Sequence, residues 1–595
     1  MRRRKRSHLA LLATLALLAT SMLGGATGAQ AAGPTPPTPP KRVLIVVFDQ
    51  MLPKYADQFN MPNFRRIRDA GTNFNNAYLG YMASETVIAH NVITSGQSPK
   101  NMGWVDEAYR DTGNLLGKGA DAMHITGDLS LANFGTLVDN KGYPKLADYL
   151  HIAYPGKKFI TVGEKSYAVE TATASSGDVA VRLSSRKSNI LSDYAVDASG
   201  TATGGCRNLT TNYPTTPGLK GAWRYPFGKN VPTYLLQPDA GDATLCGRYF
   251  INADKGNDYA TKAAFPAWLY PEEGNRFVPG SDQSAQAGHL GGDTWVADAA
   301  IAMMANEDWS GMFVTMGAID KTAHMFGADA DTATPDCSTG EGQVHVKCAA
   351  ENADVQLGKL LAQVAAVDAA KGGETLVVLT ADHGATYGQN FHGKDALLAG
   401  DSNWYYAPNG VWDAGAFDTV TYNSPSPAIA AFGATLNGNL QFSYQSTAVE
   451  AWLIDRSPAK QQQAAAAALA LPGAIASYYR SGSGYKLYGT NAMTKAEGQW
   501  WKKHGQEIVD TLASSDGPDT VTLLQDKTSY GVYGDHGGAQ EAVQRVPMVF
   551  WSPSLAFGEN TGGPFQTTDV MPTILSTMGI PLTAPVDGQA RPLDD

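Results

Sequence analysis

The sequence predicts an α/β protein built on a doubly wound, mostly parallel sheet with helices on both faces and a large inserted cap region. Three apolar runs predict its buried strands: "KRVLIVVFDQM", "WSGMFVTMGAID" and "ETLVVLTADHG". Continuous apolar runs are typical of strands buried on both faces of a parallel sheet. Between them lie segments such as "NADVQLGKLLAQVAAVDAA", whose apolar positions recur at three- and four-residue steps and predict helices. Strands that alternate with helices predict a parallel sheet covered on both sides.

The first 31 residues have the features of a cleaved secretory signal peptide. Basic residues from Arg2 to Arg6 precede an apolar run from Leu9 to Leu23, and small residues close the segment at Ala29–Ala31. Residues 32–40 then form a Pro-rich, extended spacer. No later segment approaches the roughly 20 apolar residues that a membrane-spanning helix needs. The sequence therefore predicts a secreted, extracellular protein with no membrane span.

The mature part of the chain, residues 41–595, is predicted to form one large domain with two insertions. Residues from about 170 to 290 are rich in Gly, Thr, Ser, Asn and aromatic residues, which predicts an inserted cap. A second irregular region, about 385–530, contains "QQQAAAAALALPGA" and "GQWWKKHGQEIVDTL", which predict peripheral helices. This length is compatible with a single α/β core that carries long insertions.

Charge and cysteine content narrow the functional class. The formal net charge of −11 argues against a nucleic-acid-binding surface, because such surfaces usually carry basic stripes. Four cysteines form an even set in a predicted exported chain, which indicates two disulfides. Sequence order suggests the pairs Cys206–Cys246 and Cys337–Cys348. A structural zinc site is the alternative, but the spacings lack paired C-x-x-C knuckles.

Metal-ligand side chains follow each predicted strand, and one more imidazole lies in "YGDHGG". In open α/β sheets, ligands bind in the crevice outside the carboxyl ends of the strands. Three carboxylates and three imidazoles would supply three ligands to each of two ions, and mixed oxygen and nitrogen ligands suit Zn²⁺. The six candidate ligands are Asp49, Asp320, His324, Asp382, His383 and His536.

The spacing of two ligand pairs predicts how the chain presents them. Asp320 and His324 are four residues apart, so one helical turn would put both on one face. Asp382 and His383 are adjacent and need an irregular turn, which Gly384 permits. The other histidines considered, His90, His392 and His504, are expected to be hydrogen-bonded structural residues or surface residues.

These segments resemble the alkaline phosphatase superfamily, particularly its two-zinc branch of type I phosphodiesterases/nucleotide pyrophosphatases and threonine-type phosphatases. In the family's order, the matching segments are the strand ending at Asp49, "ETVIAH" with "TSGQSPKNMG", "DKTAH", "TADHG", "GDHGG" and "TDVMPTILSTMGIPLTAPVDGQA". The resemblance covers most of the mature chain. It implies an alkaline-phosphatase-like catalytic domain over residues 41–595 and a small-molecule phosphate ester as substrate.

The resemblance also implies the roles of the site residues. Two Zn²⁺ ions would be bound, one by Asp320, His324 and His536 and the other by Asp49, Asp382 and His383, although Mn²⁺ or Fe also suits such ligands. Thr86 would contact the second ion and act as the nucleophile. At the start of a helix, backbone N–H groups and the macrodipole favour an anion there. In-line attack would give a covalent phosphothreonine that is then hydrolysed. Without the metal ligands, Thr86 would be interpreted as a helix cap.

Three positions bear on the family's phosphate-binding pattern, and two of them depart from it. Counting from Thr86 without gaps, the family's phosphate-binding asparagine falls on Glu107, which could pair with Lys165, bind another metal or point away. Lys165 matches a lysine of threonine-type monoesterases, with a solvated surface lysine as the alternative. The arginine two residues later in those enzymes is Tyr167 here, and tyrosine cannot bind a phosphate dianion in bidentate fashion.

The resulting expectation is a secreted, metal-dependent phosphoric-ester hydrolase that favours phosphodiesters or pyrophosphates. Phosphomonoester hydrolysis is the first alternative, and a catalytically inactive secreted metal-binding protein is the second. Sulfate esters are not expected, because the Cys- or Ser-x-Pro-x-Arg signature of the sulfatases is missing from the sequence. The sequence makes no prediction of oligomeric state.

Overall fold

The structure is a computed structural model of the chain. The residues it describes are 38–126, 129–184, 190–191, 223–224, 227–235, 251–252, 290–326, 328, 346–386, 427–531, 534–553, 555 and 563–593. The predicted signal peptide, most of the spacer, His392 and three of the four cysteines lie outside these residues. Within the described ranges, every helix is too short or too polar to cross a bilayer.

The strands and helices are labelled in chain order. The strands are β1 (Arg42–Phe48), β2 (Thr72–Asn73), β3 (Ala108–Asp111), β4 (Ala122–Ile125), β5 (Lys158–Lys165), β6 (Val179–Ser184), β7 (Ile190–Leu191), β8 (Trp223–Arg224), β9 (Phe227–Lys229), β10 (Ile251–Asn252), β11 (Trp309–Met316), β12 (Thr375–Thr380), β13 (Leu440–Gln445), β14 (Ala448–Leu453), β15 (Ala474–Ser481), β16 (Gly484–Thr490), β17 (Thr520–Leu524) and β18 (Met548–Trp551). The α-helices are α1 (Tyr55–Gln58), α2 (Pro62–Ala70), α3 (Thr86–Ser95), α4 (Pro99–Met102), α5 (Leu131–Asp139), α6 (Leu146–Ala153), α7 (Ser166–Thr173), α8 (Leu290–Asn306), α9 (Ala318–Phe326), α10 (Val346–Lys371), α11 (Pro427–Thr435), α12 (Pro458–Leu469), α13 (Lys495–Trp500), α14 (Gln506–Val509), α15 (Glu541–Gln544) and α16 (Val570–Thr577).

An eight-stranded sheet forms the centre of the fold, in the order β2-β18-β12-β1-β11-β5-β6-β9. The middle five strands, from β12 to β6, pair in parallel, while β18, β2 and β9 pair in antiparallel fashion at the two edges. The predicted mostly parallel sheet is therefore confirmed. Because β12, β1, β11 and β5 are neighbours with the same direction, their carboxyl ends meet at one edge.

Burial explains why the apolar runs become central strands. Every residue of β1, β11 and β12 is buried, as expected for strands covered on both faces. Helix α3 is also buried over all ten of its residues and ends at Gly96, whose φ of 67° is the left-handed conformation common at helix C-termini. A helix that begins inside the core can hold its first residue in a fixed position at the sheet edge.

A second sheet of five antiparallel strands has the order β13-β14-β17-β15-β16 and lies within the region expected to hold peripheral helices. Helices α12 and α13 do form from the two segments predicted to be helical. The sequence did not predict this sheet. The sheet is not peripheral to the candidate site. In the turn between β13 and β14, the Thr447 backbone N–H donates to the His536 carbonyl at 3.3 Å, and the Ser446 hydroxyl donates to the Gly537 carbonyl.

The predicted cap begins later than residue 170. Helix α7 and strand β6 continue the strand–helix alternation to Ser184, and β9 forms an edge of the central sheet. Most of the remaining predicted cap lies outside the described residues, so its architecture stays a prediction.

One of the four cysteines lies in the described part of the chain. Cys348 is buried near the start of α10 and is disulfide-bonded. Cys206, Cys246 and Cys337 lie outside the described residues, so the two predicted pairings stay predictions.

Candidate active site

The predicted metal ligands and nucleophile meet at the carboxyl edge of the central sheet. Asp49 follows β1 directly, while Asp382 and His383 begin two residues after β12. Asp320 and His324 lie on α9, which follows β11 after one residue. The remaining ligand candidate, His536, lies in the segment between β17 and β18, and Thr86 is the first residue of α3. All of these side chains are at least largely buried.

Asp49, Asp382 and His383 form the first possible ligand group. Their donor atoms all lie within 4.8 Å of one another. The His383 Nε2 atom is 3.6 Å from Asp49 Oδ1 and 3.5 Å from Asp382 Oδ2, and all three side chains are fully buried. This grouping is the one that the resemblance implies for the ion beside Thr86.

Asp320, His324 and His536 form the second group. His324 Nε2 is 3.1 Å from both Asp320 Oδ1 and His536 Nε2, and His536 Nε2 is 3.5 Å from Asp320 Oδ1. His383 also reaches this group, because Asp320, His383 and His536 have donor atoms within 4.8 Å of one another. The rings of His383 and His536 stack with centroids 3.7 Å apart. The two groups are therefore contiguous, with His383 between them.

The carboxylates provide the test of whether this donor set suits cations. Asp49 Oδ1 and Asp382 Oδ2 are buried, and neither accepts a hydrogen bond from the described residues. Asp49 Oδ2 lies 2.8 Å from Lys165 Nζ, and Asp320 Oδ1 lies 3.1 Å from His324 Nε2. A buried carboxylate oxygen without a hydrogen bond is costly unless a charge compensates it. Two such oxygens converging with three imidazoles fit divalent cations that take mixed oxygen and nitrogen ligands.

Burial and mutual repulsion perturb the pKa values of the first group. Burial, together with the charges of Asp320 and Asp382, holds the pKa of Asp49 well above its usual value. Burial also raises the pKa of Asp382 to about 6, with Asp320 adding to the effect. Burial and the neighbouring His536 hold the pKa of His383 well below its usual value, so this imidazole is neutral and can offer Nε2 as a ligand.

In the second group, opposite charges outweigh burial at Asp320 and His324 but not at His536. Burial opposes ionisation of Asp320, but His324 and Lys165 outweigh it and hold the Asp320 pKa well below its usual value. Burial lowers the pKa of His324, yet the charge and hydrogen bond of Asp320 raise it above the usual value overall. Burial lowers the pKa of His536 to about 4. Strongly perturbed pKa values of this kind concentrate at functional sites.

Backbone groups orient the ligands of both groups. His383 Nδ1 lies 3.0 Å from the Gly384 carbonyl oxygen, and His536 Nδ1 lies 3.2 Å from the Ser84 carbonyl oxygen, so Nε2 of each ring is the atom directed at the site. Gly384 is required for packing rather than for its backbone angle, because an added Cβ would lie 2.0 Å from the Ala542 carbonyl oxygen. The sequence predicted that Gly384 permits an irregular turn but did not predict this packing requirement.

Thr86 lies where the ligand groups meet. Its Oγ1 is 3.2 Å from His383 Nε2 and 3.3 Å from Lys165 Nζ. Glu85 occupies the N-cap position of α3, so Thr86 is the first helical residue rather than the cap. A hydroxyl at this position faces the unpaired N–H groups of the first helical turn, which favour an incoming anion.

Lys165 is buried in the site, which contradicts the alternative of a solvated surface lysine. Its Nζ lies 2.8 Å from Asp49 Oδ2 and 2.5 Å from Asp320 Oδ2. Burial alone would lower the pKa of Lys165, but the two carboxylates outweigh it and hold that pKa well above the usual value. Lys165 is therefore a permanent cation beside Thr86.

Tyr167 and Glu107 have half-buried side chains, Tyr167 near Lys165 and Glu107 near Glu85. Tyr167 is in the first turn of α7, and burial raises the pKa of its hydroxyl. The carboxylate of Glu107 further raises the pKa values of Tyr167 and of Glu85, so it lies near both. Glu85 accepts a hydrogen bond from the Tyr444 hydroxyl at 3.1 Å. One side of the site is thus acidic, which the sequence indicated only through Glu107.

His90 holds Thr86 from inside α3, as a hydrogen-bonded structural residue. Its Nδ1 is 2.7 Å from the Thr86 carbonyl oxygen and its Nε2 is 2.9 Å from Thr315 Oγ1. Burial lowers the pKa of His90 to about 3, so the ring is neutral. In the sequence, the spacing of four residues between Thr86 and His90 was the signal that the two lie on one face of a helix. His504 packs against the rings of Tyr78 and Trp500 instead.

Comparisons with known proteins bear on the fold and on the class of enzyme. The family model described as "Type I phosphodiesterase / nucleotide pyrophosphatase" matches residues 43–116, which include Asp49, Thr86 and Glu107. Wild-type alkaline phosphatase PafA has a similar structure, with a TM-score of 0.52 and 16% identity over 93% of this chain and 98% of that one. Human ectonucleotide pyrophosphatase/phosphodiesterase 5 aligns with a TM-score of 0.46 and 11% identity over 92% of this chain and 97% of that one. No curated protein matches the sequence.

The fold is similar to that of alkaline phosphatase PafA. This likeness and the family match over residues 43–116 support the predicted resemblance to the alkaline phosphatase superfamily and a phosphoester hydrolase as the class of enzyme. The assignment of individual ligands, the nucleophile and the substrate rests on the geometry described above.

Proposed function

We propose that this chain is a secreted, two-metal phosphoric-ester hydrolase that forms a phosphothreonine on Thr86 and prefers phosphodiesters or pyrophosphates to monoesters. The observation that carries the proposal is the position of Thr86 Oγ1, at the start of a buried helix and 3.2 Å from the imidazole that both ligand groups share. Secretion is proposed from the N-terminal sequence.

The ligands in this proposal are the two groups of buried carboxylates and imidazoles. Asp49, Asp382 and His383 would hold the ion beside Thr86, and the group formed by Asp320, His324 and His536 would hold the other. When bound, two divalent cations supply electrostatic stabilisation of the entering and leaving oxygens. The matched family and its metal-dependent fold support cations here, with zinc favoured by the ligand types.

The protein's own groups account for the nucleophilic step. As Thr86 Oγ1 bonds to phosphorus, the bond from phosphorus to the leaving-group oxygen breaks and the hydroxyl proton passes to water, while the cationic Lys165 at 3.3 Å stabilises negative charge on Oγ1. The first-turn N–H groups of α3 and the helix macrodipole favour the phosphoryl oxygens. His90 holds the Thr86 carbonyl and so limits rotation of the first helical residue.

The charges around Thr86 support the preference for diesters. Lys165 is the cation beside Thr86, Tyr167 stands where related monoesterases carry an arginine, and Glu85 and Glu107 supply the acidic side of the site. A dianionic monoester needs more compensating positive charge than a monoanionic diester. The acidic side would therefore penalise the monoester more.

The test compares hydrolysis of p-nitrophenyl phosphate with that of bis-p-nitrophenyl phosphate by the zinc-loaded protein. We expect a higher kcat/KM for the diester and a loss of roughly 10³-fold or more in Thr86→Ala. Thr86→Ser, which keeps the hydroxyl, is the matched control and should retain much of the activity. Activity that survives in Thr86→Ala would contradict the nucleophile assignment.

Phosphomonoester hydrolysis is the second candidate, and the buried Lys165 beside Thr86 favours it, because a fixed ammonium suits a dianion. A monoester preference that Lys165→Met removes would support this candidate. Zinc binding without turnover of either ester would instead support an inactive metal-binding protein.

A further inference from the structure

Helix α9, which carries Asp320 and His324, is held at its N-terminus by a side chain from another helix. Asp293, in the first turn of α8, is fully buried. Its Oδ1 accepts hydrogen bonds from the backbone N–H of Gly317 at 2.8 Å and from that of Ala318 at 3.2 Å. These N–H groups belong to the end of the helix that lacks intrahelical partners, so the carboxylate acts as a cap. Asp320 is the third residue of α9, within one turn of this cap.

A second contact fixes the same helix against the sheet. Lys321, the residue after Asp320, pairs through Nζ with Glu164 Oε1, and both side chains are buried. Glu164 precedes Lys165 on β5, and successive side chains of a strand point to opposite faces. Glu164 therefore holds α9 from one face, while Lys165 reaches Asp320 and Thr86 from the other.

Gly292 leaves room for this arrangement, and Gly317 lies close to the same Glu164 carboxylate. A Cβ on Gly292, the neighbour of Asp293, would lie 2.5 Å from Glu164 Oε2. A Cβ on Gly317, whose N–H bonds to Asp293, would lie 3.5 Å from the same oxygen. The start of α8, the start of α9 and the end of β5 are thus in direct contact behind the ligands.

We propose that Asp293 is a positioning residue for the metal site: by capping α9, it fixes the rotation and height of the helix that presents Asp320 and His324. This inference rests on the proposed function, because that proposal makes these two side chains metal ligands. Ligands must be held to within about 0.5 Å and 10–20° of the productive geometry. Partners behind the ligands typically contribute 10–100-fold to metal affinity.

The molecule contains a matched control for this role. Asp354, on α10, is also buried and also caps another helix, since its Oδ1 accepts from the Phe64 N–H at 2.7 Å and its Oδ2 accepts from the Asn63 N–H at 3.1 Å. The capped helix there is α2, which carries no candidate site residue. Loss of either cap should lower stability, but only loss of the Asp293 cap should affect metal binding.

The experiment measures zinc affinity of the full-length protein by competition with a chelator, for wild type, Asp293→Ala, Asp293→Asn and Asp354→Ala. We expect Asp293→Ala to weaken binding of at least one zinc by about 10–100-fold. Asp293→Asn keeps an acceptor oxygen and should restore the affinity to within about threefold. Asp354→Ala should lower Tm but leave zinc affinity unchanged.

Two outcomes overturn the inference: an unchanged zinc affinity in Asp293→Ala, or an equal loss in Asp293→Ala and Asp354→Ala. If Asp293→Ala does not fold, Asp293→Glu replaces it, and its added methylene should still weaken zinc binding by roughly 3–10-fold; an unchanged affinity there overturns the inference as well. A wild-type protein that binds no zinc overturns the proposed function itself, whereas two zinc ions in wild type with no effect of Asp293→Ala overturn only the role of Asp293.

Discussion

The two ligand groups differ in how the fold presents them. Asp49, Asp382 and His383 lie at most three residues beyond central strands and are fully buried. Asp320 and His324 lie on helix α9, and His536 lies in a segment supported by the second sheet; their exposed fractions reach 12% at His324. We call these the strand-borne and the helix-borne group. The first is fixed by the core, whereas the second depends on contacts that secondary elements make with one another.

The largest expected difference comes from removing one ligand of each group. Asp382→Asn removes a charged ligand from the ion beside Thr86, so we expect kcat/KM for the diester to fall by roughly 10³-fold or more. His324→Ala removes a partly exposed ligand of the other ion, and we expect a smaller loss of about 10–100-fold. Steady-state kinetics together with zinc content per chain would measure both. Equal losses in the two variants would contradict the distinction between the groups.

The pH dependence of zinc binding should follow protonation of the proposed ligands in both groups. Metal binding requires neutral imidazole and ionised carboxylate, so a proton competes with zinc below the pKa of a ligand. In the helix-borne group, the Asp320 carboxylate raises the His324 pKa above its usual value despite burial; in the strand-borne group, burial raises the Asp382 pKa to about 6 and holds the Asp49 pKa well above its usual value. As pH falls from 8 to 5, the zinc affinity of both groups should therefore fall, by about tenfold per pH unit for each proton taken up.

Zinc affinity measured by chelator competition at each pH would test this fall. His324→Ala is the control for the helix-borne group, because that variant cannot take up a proton at residue 324. Zinc affinity that stays constant between pH 8 and pH 5 would be incompatible with the pKa directions.

The core also holds Thr86 in place, through His90 and the strand residue Thr315. His90→Ala breaks the contacts to the Thr86 carbonyl and to Thr315, so we expect kcat/KM to fall by about tenfold and stability to fall by about 2 kcal/mol. Thermal unfolding and diester kinetics would measure the two effects. His504→Ala, at another buried histidine, should lower Tm without changing kcat/KM. Equal kinetic effects in both variants would argue against a role for His90 at the nucleophile.

The smallest expected effect concerns substrate choice at the acidic side of Thr86. Glu107→Gln removes one negative charge from a half-buried position, so we expect kcat/KM for the monoester to rise by about 3–10-fold and that for the diester to change by less than about twofold. The ratio of the two rates, measured at fixed ionic strength, is the readout. A rise of both rates by the same factor would show that Glu107 does not discriminate between the substrates.

The strand-borne group was the easier one to predict from the sequence. Continuous apolar runs end directly at Asp49 and just before Asp382. The position of these residues at the sheet edge therefore followed from the predicted ends of the buried strands. The i,i+4 spacing of Asp320 and His324 likewise placed both on one helix. Nothing local, however, predicts that His383 stacks on His536 and reaches both groups, because the two histidines are far apart in the chain.

Features created by long-range packing could not be predicted. Lys165 was equally compatible with a surface position, and its burial depends on the pairing of β5 with β11, which brings it to Asp320. The second sheet was missed because β13 and β16 are partly exposed and lack continuous apolar runs. Asp293 carried no local signal, since its partners are the backbone N–H groups of residues 24 and 25 positions later.

The central claim is that Thr86 becomes covalently phosphorylated during turnover. The direct measurement is mass spectrometry of zinc-loaded protein that is acid-quenched while it hydrolyses bis-p-nitrophenyl phosphate, followed by digestion and sequencing of the peptide that contains Thr86. We expect an added ester-bearing phosphoryl group on Thr86, absent from Thr86→Ala and from metal-depleted protein. An active wild-type enzyme whose Thr86 never carries phosphorus, or whose phosphorus lies on another residue, would contradict the account.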